Sequence, residues 1–340
     1  MIIVERFHRA RFNWEVRAIL KTRPLWPGSE NFIALSMVQH RDVLGYLLAL
    51  KSFARFLLPA RVVLVADPTL DADDRALLRR HVPHIEFREA AEFHRDCIPK
   101  GGCWERLSAI SEYAQDAYVI QLDADTVAVA DLPAVRQAVR DAVSFTLGTE
   151  DVQPIVSCTE MAAWARRQID GQDHIQLLAE ASLDRFDTSG RYRYARGCAG
   201  FAGFAPGSIN AAQMLEVSER MGGLIGPTWS AWGTEQFTSN LLVCSSPGAR
   251  ILPHPSYCNP ARISPATVFL HFIGYVRYRN GLYATLARRV SHELLVRARH
   301  GGMRLKAVSI SANAQRHVND DVGVFPLVEG RQPESSQPSE

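Results

Sequence analysis

No apolar run in this 340-residue chain approaches the roughly 18 to 20 residues needed to cross a bilayer, so no transmembrane helix is expected. The opening, MIIVERFHRARFNW, becomes charged too early for a secretory signal. Paired cysteines are missing as well. Cys97, Cys103, Cys158, Cys198, Cys244 and Cys258 are scattered with no Cys-x-x-Cys, which argues against a structural zinc site and fits free thiols in a reducing cytoplasm. Charge of one sign is absent too: a formal net charge of +2 makes no demand for nucleic acid or an acidic partner. Several familiar catalytic signatures fail. There is no Gly-Lys-Ser/Thr phosphate loop and no Gly-x-Ser-x-Gly elbow. Gly197, Gly200 and Gly203 are spaced by three, unlike a dinucleotide fingerprint, and fit close backbone approach better. His292-Glu293 begins like a zinc-protease helix, but Val296 stands where the second histidine belongs.

What is present is a chain long enough for a full core, with strand and helix patterns in alternation. Phe32 to Val38 reads as a strand and Asp42 to Phe56 as a helix. Arg61 to Ala66 is a β-branched strand, and Asp71 reads as the N-cap of a helix through Arg80. Ile85 to Phe87 is a short strand, Trp104 to Ala114 a helix and Ala117 to Leu122 a strand. Asp131 with Pro133 opens a further helix. The second half is less regular, with a helix over Ile209 to Met221 and strand-like pieces at Arg250 to Leu252 and Thr267 to Phe272. This alternation predicts an α/β fold: a mostly parallel sheet with helices on both faces, binding ligands outside the carboxyl ends of its strands.

The stretch 119–130, VIQLDADTVAVA, ends an apolar strand on two carboxylates. Side chains at i and i+2 share a side, so Asp123 and Asp125 would project together from the strand's carboxyl end. Like charges that close repel, and a divalent metal with hard oxygen ligands would hold them. The plainer alternative is a turn in which both aspartates only shape the backbone. Around this pair the chain offers Arg106 before the strand, the glycine-rich 197–203 segment, Glu235-Gln236, and His271-Phe-Ile-Gly-Tyr-Val-Arg277.

In that order of pieces, over roughly residues 32 to 280, the sequence resembles the glycogenin and bacterial galactosyltransferase-like glycosyltransferases. These are retaining enzymes of the GT-A fold, a Rossmann-like mixed sheet, that use a nucleotide-sugar donor and Mn²⁺. The resemblance implies that Asp123 touches ribose as well as metal and that Asp125 grips the metal. It makes His271 the third metal ligand. It gives Arg106 and Arg277 the donor's diphosphate or sugar, with Gly274 between His271 and Arg277, and it sets Cys198, Ala199 and Gly200 against the donor sugar. Glu235 and Gln236 then face the anomeric carbon or the acceptor. Ser36, Val38 and His40, taken as the loop after the first strand, are the expected base contacts by fold position. Three residues depart from the family pattern: Cys198 replaces Asn, Glu235 replaces Asp and Arg277 replaces Lys. Arg277 keeps the charge and offers a bidentate fork that still suits phosphate. Cys198 lacks an amide to bond sugar hydroxyls.

The expected organisation is a basic N-terminal arm (1–30), one GT-A domain (31–300, with a nucleotide-binding half to 130 and an acceptor half beyond), and a C-terminal extension (301–340) with a disordered end. The expected function is metal-dependent transfer of a hexose from a nucleotide-sugar, UDP-linked, to a glycan or lipid-linked saccharide. The cofactor is Mn²⁺ or Mg²⁺ and the expected location cytoplasmic. The arm alternates Arg6, Arg9, Arg11, Arg17, Lys21 and Arg23 with Phe7, Phe12, Trp14 and Ile19. It reads either as a solvated arm packed on its own domain or as a helix on the inner membrane face. Two other classes compete. Asp123-Ala-Asp125-Thr-Val127 also fits the nucleophile motif of haloacid-dehalogenase-type phosphatases, although that motif usually opens its fold. A degenerate transferase fold kept for carbohydrate binding would explain Cys198 and Glu235.

Overall fold

The structure is a computed structural model. It describes residues 2–149, 154–169, 171, 174–274 and 276–299; the expected C-terminal extension lies outside the described residues. The chain opens with α1 (Ile2–Glu15) and a 3-10 helix over 16–21. It continues through β1 (Glu30–Val38), α2 (Val43–Ala54), β2 (Pro59–Ala66), α3 (Ala72–His81) and β3 (Ile85–Glu89). Next come α4 (Trp104–Tyr113), β4 (Val119–Leu122), β5 (Thr126–Ala128), α5 (Pro133–Asp141) and β6 (Phe145–Gly148). A smaller insert holds β7 (Val156–Ser157), α6 (Cys158–Gln168), α7 (Ile175–Glu180), α8 (Leu183–Phe186) and β8 (Arg193–Tyr194). The chain then forms β9 (Gly197–Phe204), α9 (Ala211–Ile225), α10 (Thr234–Ser245), β10 (Arg250–Ile251), β11 (Tyr257–Cys258), β12 (Phe269–His271) and α11 (Leu282–Arg299).

Local chemistry sets several of these boundaries. Asp71 caps α3 by accepting from the Asp74 N–H at 2.8 Å, and the Asp74 carboxylate accepts the Asp71 N–H in return. Pro133 sits in the first turn of α5, where its missing N–H costs nothing. Asp131, which precedes this helix, is not its N-cap. Leu132 occupies that position, and Asp131 instead pairs with Arg136 at 3.0 Å. β1 runs through Val38, so Ser36 and Val38 are strand residues rather than loop residues.

The central sheet has the order β10-β6-β9-β4-β1-β2-β3. β4, β1, β2 and β3 are mutually parallel, β9 is antiparallel to both β4 and β6, and β10 is parallel to β6. This is the mixed, mostly parallel α/β sheet with helices on both faces that the alternation predicted. Odd residues of the inner strands (Ile33, Leu35, Val63, Val65, Val119) enter one core with Leu107 and Ile110 of α4 and Phe237 and Leu241 of α10. Even residues (Phe32, Ala34, Val62, Leu64, Ile120) enter the other, with Tyr46, Leu47, Leu50 and Phe53 of α2. A strand covered on both faces needs apolar side chains at successive positions, which is why these segments read as continuous apolar runs.

A second, three-stranded sheet joins β11, β12 and β5; β12 runs antiparallel to β5. The two sheets meet through Phe201 of β9, which stacks on Phe269 of β12 with ring centroids 4.0 Å apart and also lies against Phe145 and Phe53. At the other end of the sequence, α1 packs on α11, where Phe12 stacks on Tyr283 at 3.9 Å and Val16 and Ile19 are buried. Among the described residues no helix is long and apolar enough to cross a membrane. Truncating the fully buried Phe201 to Ala should cost about 3 to 5 kcal/mol. Urea denaturation of the variant checks this, and a loss below about 1 kcal/mol would mean the junction between the sheets is not packed as described.

Candidate functional site

The acidic pair does not continue a strand. Asp123, Ala124 and Asp125 form a turn that leaves the central sheet at the end of β4 and starts β5 in the second sheet. Two bonds to distant segments and one within the turn itself fix it. The Asp123 N–H donates to the Gly200 carbonyl of β9 at 3.0 Å. The Phe272 N–H, just past β12, donates to the Asp125 carbonyl at 2.8 Å, and the Thr126 hydroxyl donates to the Asp123 carbonyl at 2.8 Å. From α2, Gly45 gives the turn its room: a Cβ there would come within 2.8 Å of the Ala124 carbonyl oxygen. The pairing of β12 with β5 sets Thr126 opposite His271, which carries the imidazole to Asp125 across nearly 150 residues of sequence.

Around the turn the side chains form one charge network. His271 Nε2 lies 3.2 Å from Asp125 Oδ1, and Arg277 bonds the other Asp125 oxygen while reaching Asp42 at 3.1 Å. On the far side, the buried Arg106 of α4 bonds Asp123 and reaches Glu235 of α10 at 3.2 Å. One ligand-type atom each from Asp123, Asp125 and His271 lie within 4.8 Å of one another. The His271 ring is seated against the backbone of Gly200, where any Cβ would overlap it, and its Nδ1 lies 3.1 Å from the Cys198 sulfur. Two buried polar atoms of this network, Arg106 Nε and Glu235 Oε1, have no hydrogen-bond partner among the described residues.

Burial and charge act on these groups in different proportions. Burial raises the Asp123 carboxyl above its ordinary pKa; Arg106 opposes this and Asp125 adds to it. Burial pushes Asp125 in the same direction, but His271 and Arg277 outweigh it and hold that carboxyl below the carboxylate range. Burial would lower the His271 imidazole, yet the Cys198 sulfur and the Asp125 carboxylate outweigh it and raise it. Burial lifts Glu235 to about 7 against the pull of Arg106, with Asp123 adding to the rise.

Most of the residues singled out from the sequence meet here. Asp123, Asp125, His271, Arg106, Arg277, Glu235, Cys198 and Gly200 are joined directly. Gln236 enters through Ala199, whose N–H donates to Gln236 Oε1 at 3.2 Å. Gly274 is exposed, and a Cβ there would meet no atom within 4 Å. The three expected base contacts divide. Ser36 spends its hydroxyl on the Leu122 carbonyl at 2.6 Å, tying β1 to β4, and Val38 is buried in the core. Only His40 is exposed. Its ring lies 2.7 Å from Asp74 and near Asp71, a second acidic group at the carboxyl edge of the same parallel strands.

Other members have no sequence signal of their own. Asp42 was legible only as the start of α2, yet it is the second partner of Arg277. Gln236 is held by Gln176, which accepts from Gln236 Nε2 at 2.9 Å. Gln176 in turn donates to Glu180 at 3.2 Å, and Tyr194 donates to Glu180 at 2.9 Å. These residues lie in the irregular insert, whose helices do not advertise an inward polar face.

No family model matches the chain. No curated protein matches it either. Among solved structures, the mouse xyloside xylosyltransferase 1 in its apo form overlays at 12% identity and a TM-score of 0.42, covering 73% of this chain and 99% of that one. A galactosyltransferase, LgtC, in complex with donor and acceptor sugar analogues overlays at 12% identity and 0.40, covering 77% and 96%. The bifunctional glycosyltransferase WbbM overlays at 15% identity and 0.45, covering 79% of this chain; the chain spans only 52% of that protein. At TM-scores below 0.5, none of these overlays assigns an activity to this chain.

The buried Glu180 gives the site's outer layer a pH dependence. Burial lifts its carboxyl to about 7, against the pull of Arg196, Tyr194 and Gln176. A carboxyl raised in the folded state contributes stability that is full below its unfolded pKa and is lost as pH rises through about 7. The Glu180→Gln variant should therefore gain stability relative to the parent between pH 5 and pH 8, by on the order of 2 to 3 kcal/mol. Urea denaturation at both pH values reads this, and an equal difference at the two would refute it.

Proposed function

We propose that this chain is a metal-dependent glycosyltransferase that moves a hexose from a nucleotide-sugar, UDP-linked, to a glycan or lipid-linked saccharide. The observation that carries the reading is the cluster of Asp123, Asp125 and His271 at the carboxyl edge of parallel strands, flanked by Arg106 and Arg277. Two carboxylates and an imidazole make a mixed oxygen and nitrogen donor set suited to Mn²⁺ or Mg²⁺. The charge balance agrees. With the imidazole neutral, as metal binding requires, and Glu235 ionised, Asp42, Asp123, Asp125 and Glu235 exceed the two guanidiniums by the charge of one divalent cation.

A bound divalent ion would supply positive charge for the diphosphate oxygens of the donor. The protein's own groups do the rest. Transfer breaks the bond between the anomeric carbon and the diphosphate oxygen, which keeps the electron pair, and forms a bond to an acceptor hydroxyl oxygen. Arg277 and Arg106, fixed by their carboxylates and needing no reorganisation, stabilise the charge growing on the leaving group. Glu235 and Gln236 line the side where the anomeric carbon and acceptor meet. A carboxyl titrating near neutrality is suited to take the acceptor's proton, and the unpartnered Glu235 Oε1 leaves an acceptor atom for it. Cys198, Ala199 and Gly200 form the wall against the donor sugar, and His40 is the candidate for contact with the base. Retention of anomeric configuration comes from the sequence resemblance. The division into an arm, one catalytic domain and an extension is part of the same proposal.

Calorimetric titration of UDP in Mn²⁺ should give binding that disappears with a chelator, and Asp125→Ala and His271→Ala should abolish the metal-dependent part. Binding unchanged in both variants would overturn the assignment of the metal site. Gly200→Ala tests the geometry more finely. By displacing the imidazole without removing a ligand, it should weaken Mn²⁺ by about 10- to 100-fold, the range seen when a ligand's support is lost. Unaltered Mn²⁺ affinity would show that His271 does not ligate from the position described.

A further inference from the structure

Helix α1 has two apolar sides, and only one is covered. Phe12 is buried on α11, as is Val16 of the turn that follows α1. Ile3, Phe7, Ala10 and Trp14, spaced i, i+4, i+7 and i+11, form a stripe on the opposite side. That stripe faces solvent: Ile3 is 82%, Phe7 63% and Trp14 74% exposed. Large apolar side chains at that spacing bury nothing within the described residues. Arg6 and Arg17 are exposed on its flank, and Lys21 and Arg23 follow it.

The charge of the chain is concentrated in the same place. Residues 1–25 contain six basic and two acidic side chains and α11 contains four and one, a formal +7 against +2 for the whole chain, so the remainder is net acidic. We propose that α1, seated on α11, is a docking surface for an anionic lipid bilayer, lying in the plane of the headgroups with Ile3, Phe7 and Trp14 inserted and the basic residues against lipid phosphates. Such helices combine a charged face with Trp, Phe and Leu-type residues opposite, and both parts contribute to binding. A second copy fits less well. A two-fold contact would set the same arginine-rich face against itself. An acidic protein would satisfy the charges but has no need of four apolar residues in a row along the helix.

The test uses the full chain and sedimentation with vesicles of phosphatidylcholine alone or with 30% phosphatidylserine. Binding is expected to the anionic vesicles only and to fall as salt is raised. A Phe7→Glu/Trp14→Glu variant should bind at least about tenfold more weakly, because insertion of the apolar stripe is lost. Both residues are exposed, so its circular dichroism and thermal midpoint should match the parent's. An Arg6→Gln/Arg17→Gln variant should lose affinity for anionic vesicles while keeping the apolar stripe. The proposal is overturned if the parent stays in the supernatant with anionic vesicles, or if Phe7→Glu/Trp14→Glu binds as the parent does. It is also overturned if the parent is a dimer that these substitutions dissociate. Metal-dependent UDP binding should be the same in all of these variants, so this result stands or falls separately from the catalytic reading.

Discussion

Two carboxylates held side by side and largely out of water must be matched by positive charge, and the site is organised around that demand. Asp123 is answered from one side by Arg106, and Asp125 from the other by Arg277 and His271. Each guanidinium is in turn shared with a second carboxylate, Glu235 or Asp42. The network still carries more negative than positive charge when the imidazole is neutral. Desolvated charge left unmatched costs several kcal/mol per group, so such an arrangement is either relieved by protonation or completed by a cation. The raised Glu235 is the first kind of relief. A divalent ion would be the second.

Meeting this demand takes backbone as much as side chains. β9 lies against β4 so that Gly200 can bond the Asp123 N–H and leave room for the His271 ring; the same glycine serves the turn and the imidazole. β12 lies against β5 so that His271 stands opposite Thr126. Phe201 and Phe269, one on each of these strands, stack on each other and lock the two sheets together directly beneath the site. A shift of one residue in the β12–β5 pairing would turn the imidazole away from Asp125, and one in the β9–β4 pairing would move Gly200 from beneath the ring. The glycine spacing that fits no dinucleotide fingerprint has its explanation here, in close packing rather than in a phosphate loop.

Aromatic contacts carry the same framework to the amino-terminal helix. Phe272, next to His271, stacks on Tyr283 at 4.3 Å, and Tyr283 stacks on Phe12 of α1. The Tyr283 hydroxyl also donates to the Ala124 carbonyl in the acidic turn, at 3.3 Å. Thus α11 is a shared wall: its inner face closes the site, and its outer face seats the basic, partly apolar α1. What the sequence presents as an arm is built onto the back of the site.

The sequence by itself determined the local elements and the identity of the charged groups. Apolar runs without polar interruption marked strands to be covered on both faces, Asp71 announced α3, and Asp123-x-Asp125 after such a run marked the end of β4. Those signals are short-range and survive in one dimension. The tertiary structure decided the rest. β9, which runs against its neighbours β4 and β6, carries Gly197, Gly200 and Gly203 within its eight residues, and β6 is only four residues long, so neither announces itself. Whether His271 and Arg277 meet Asp125 depends on β12 pairing with β5, and whether Asp42 and Gln176 join depends on α2 and the insert folding inward. Contacts between residues some 150 positions apart are set by strand register and by which faces the cores cover, and no local pattern encodes them.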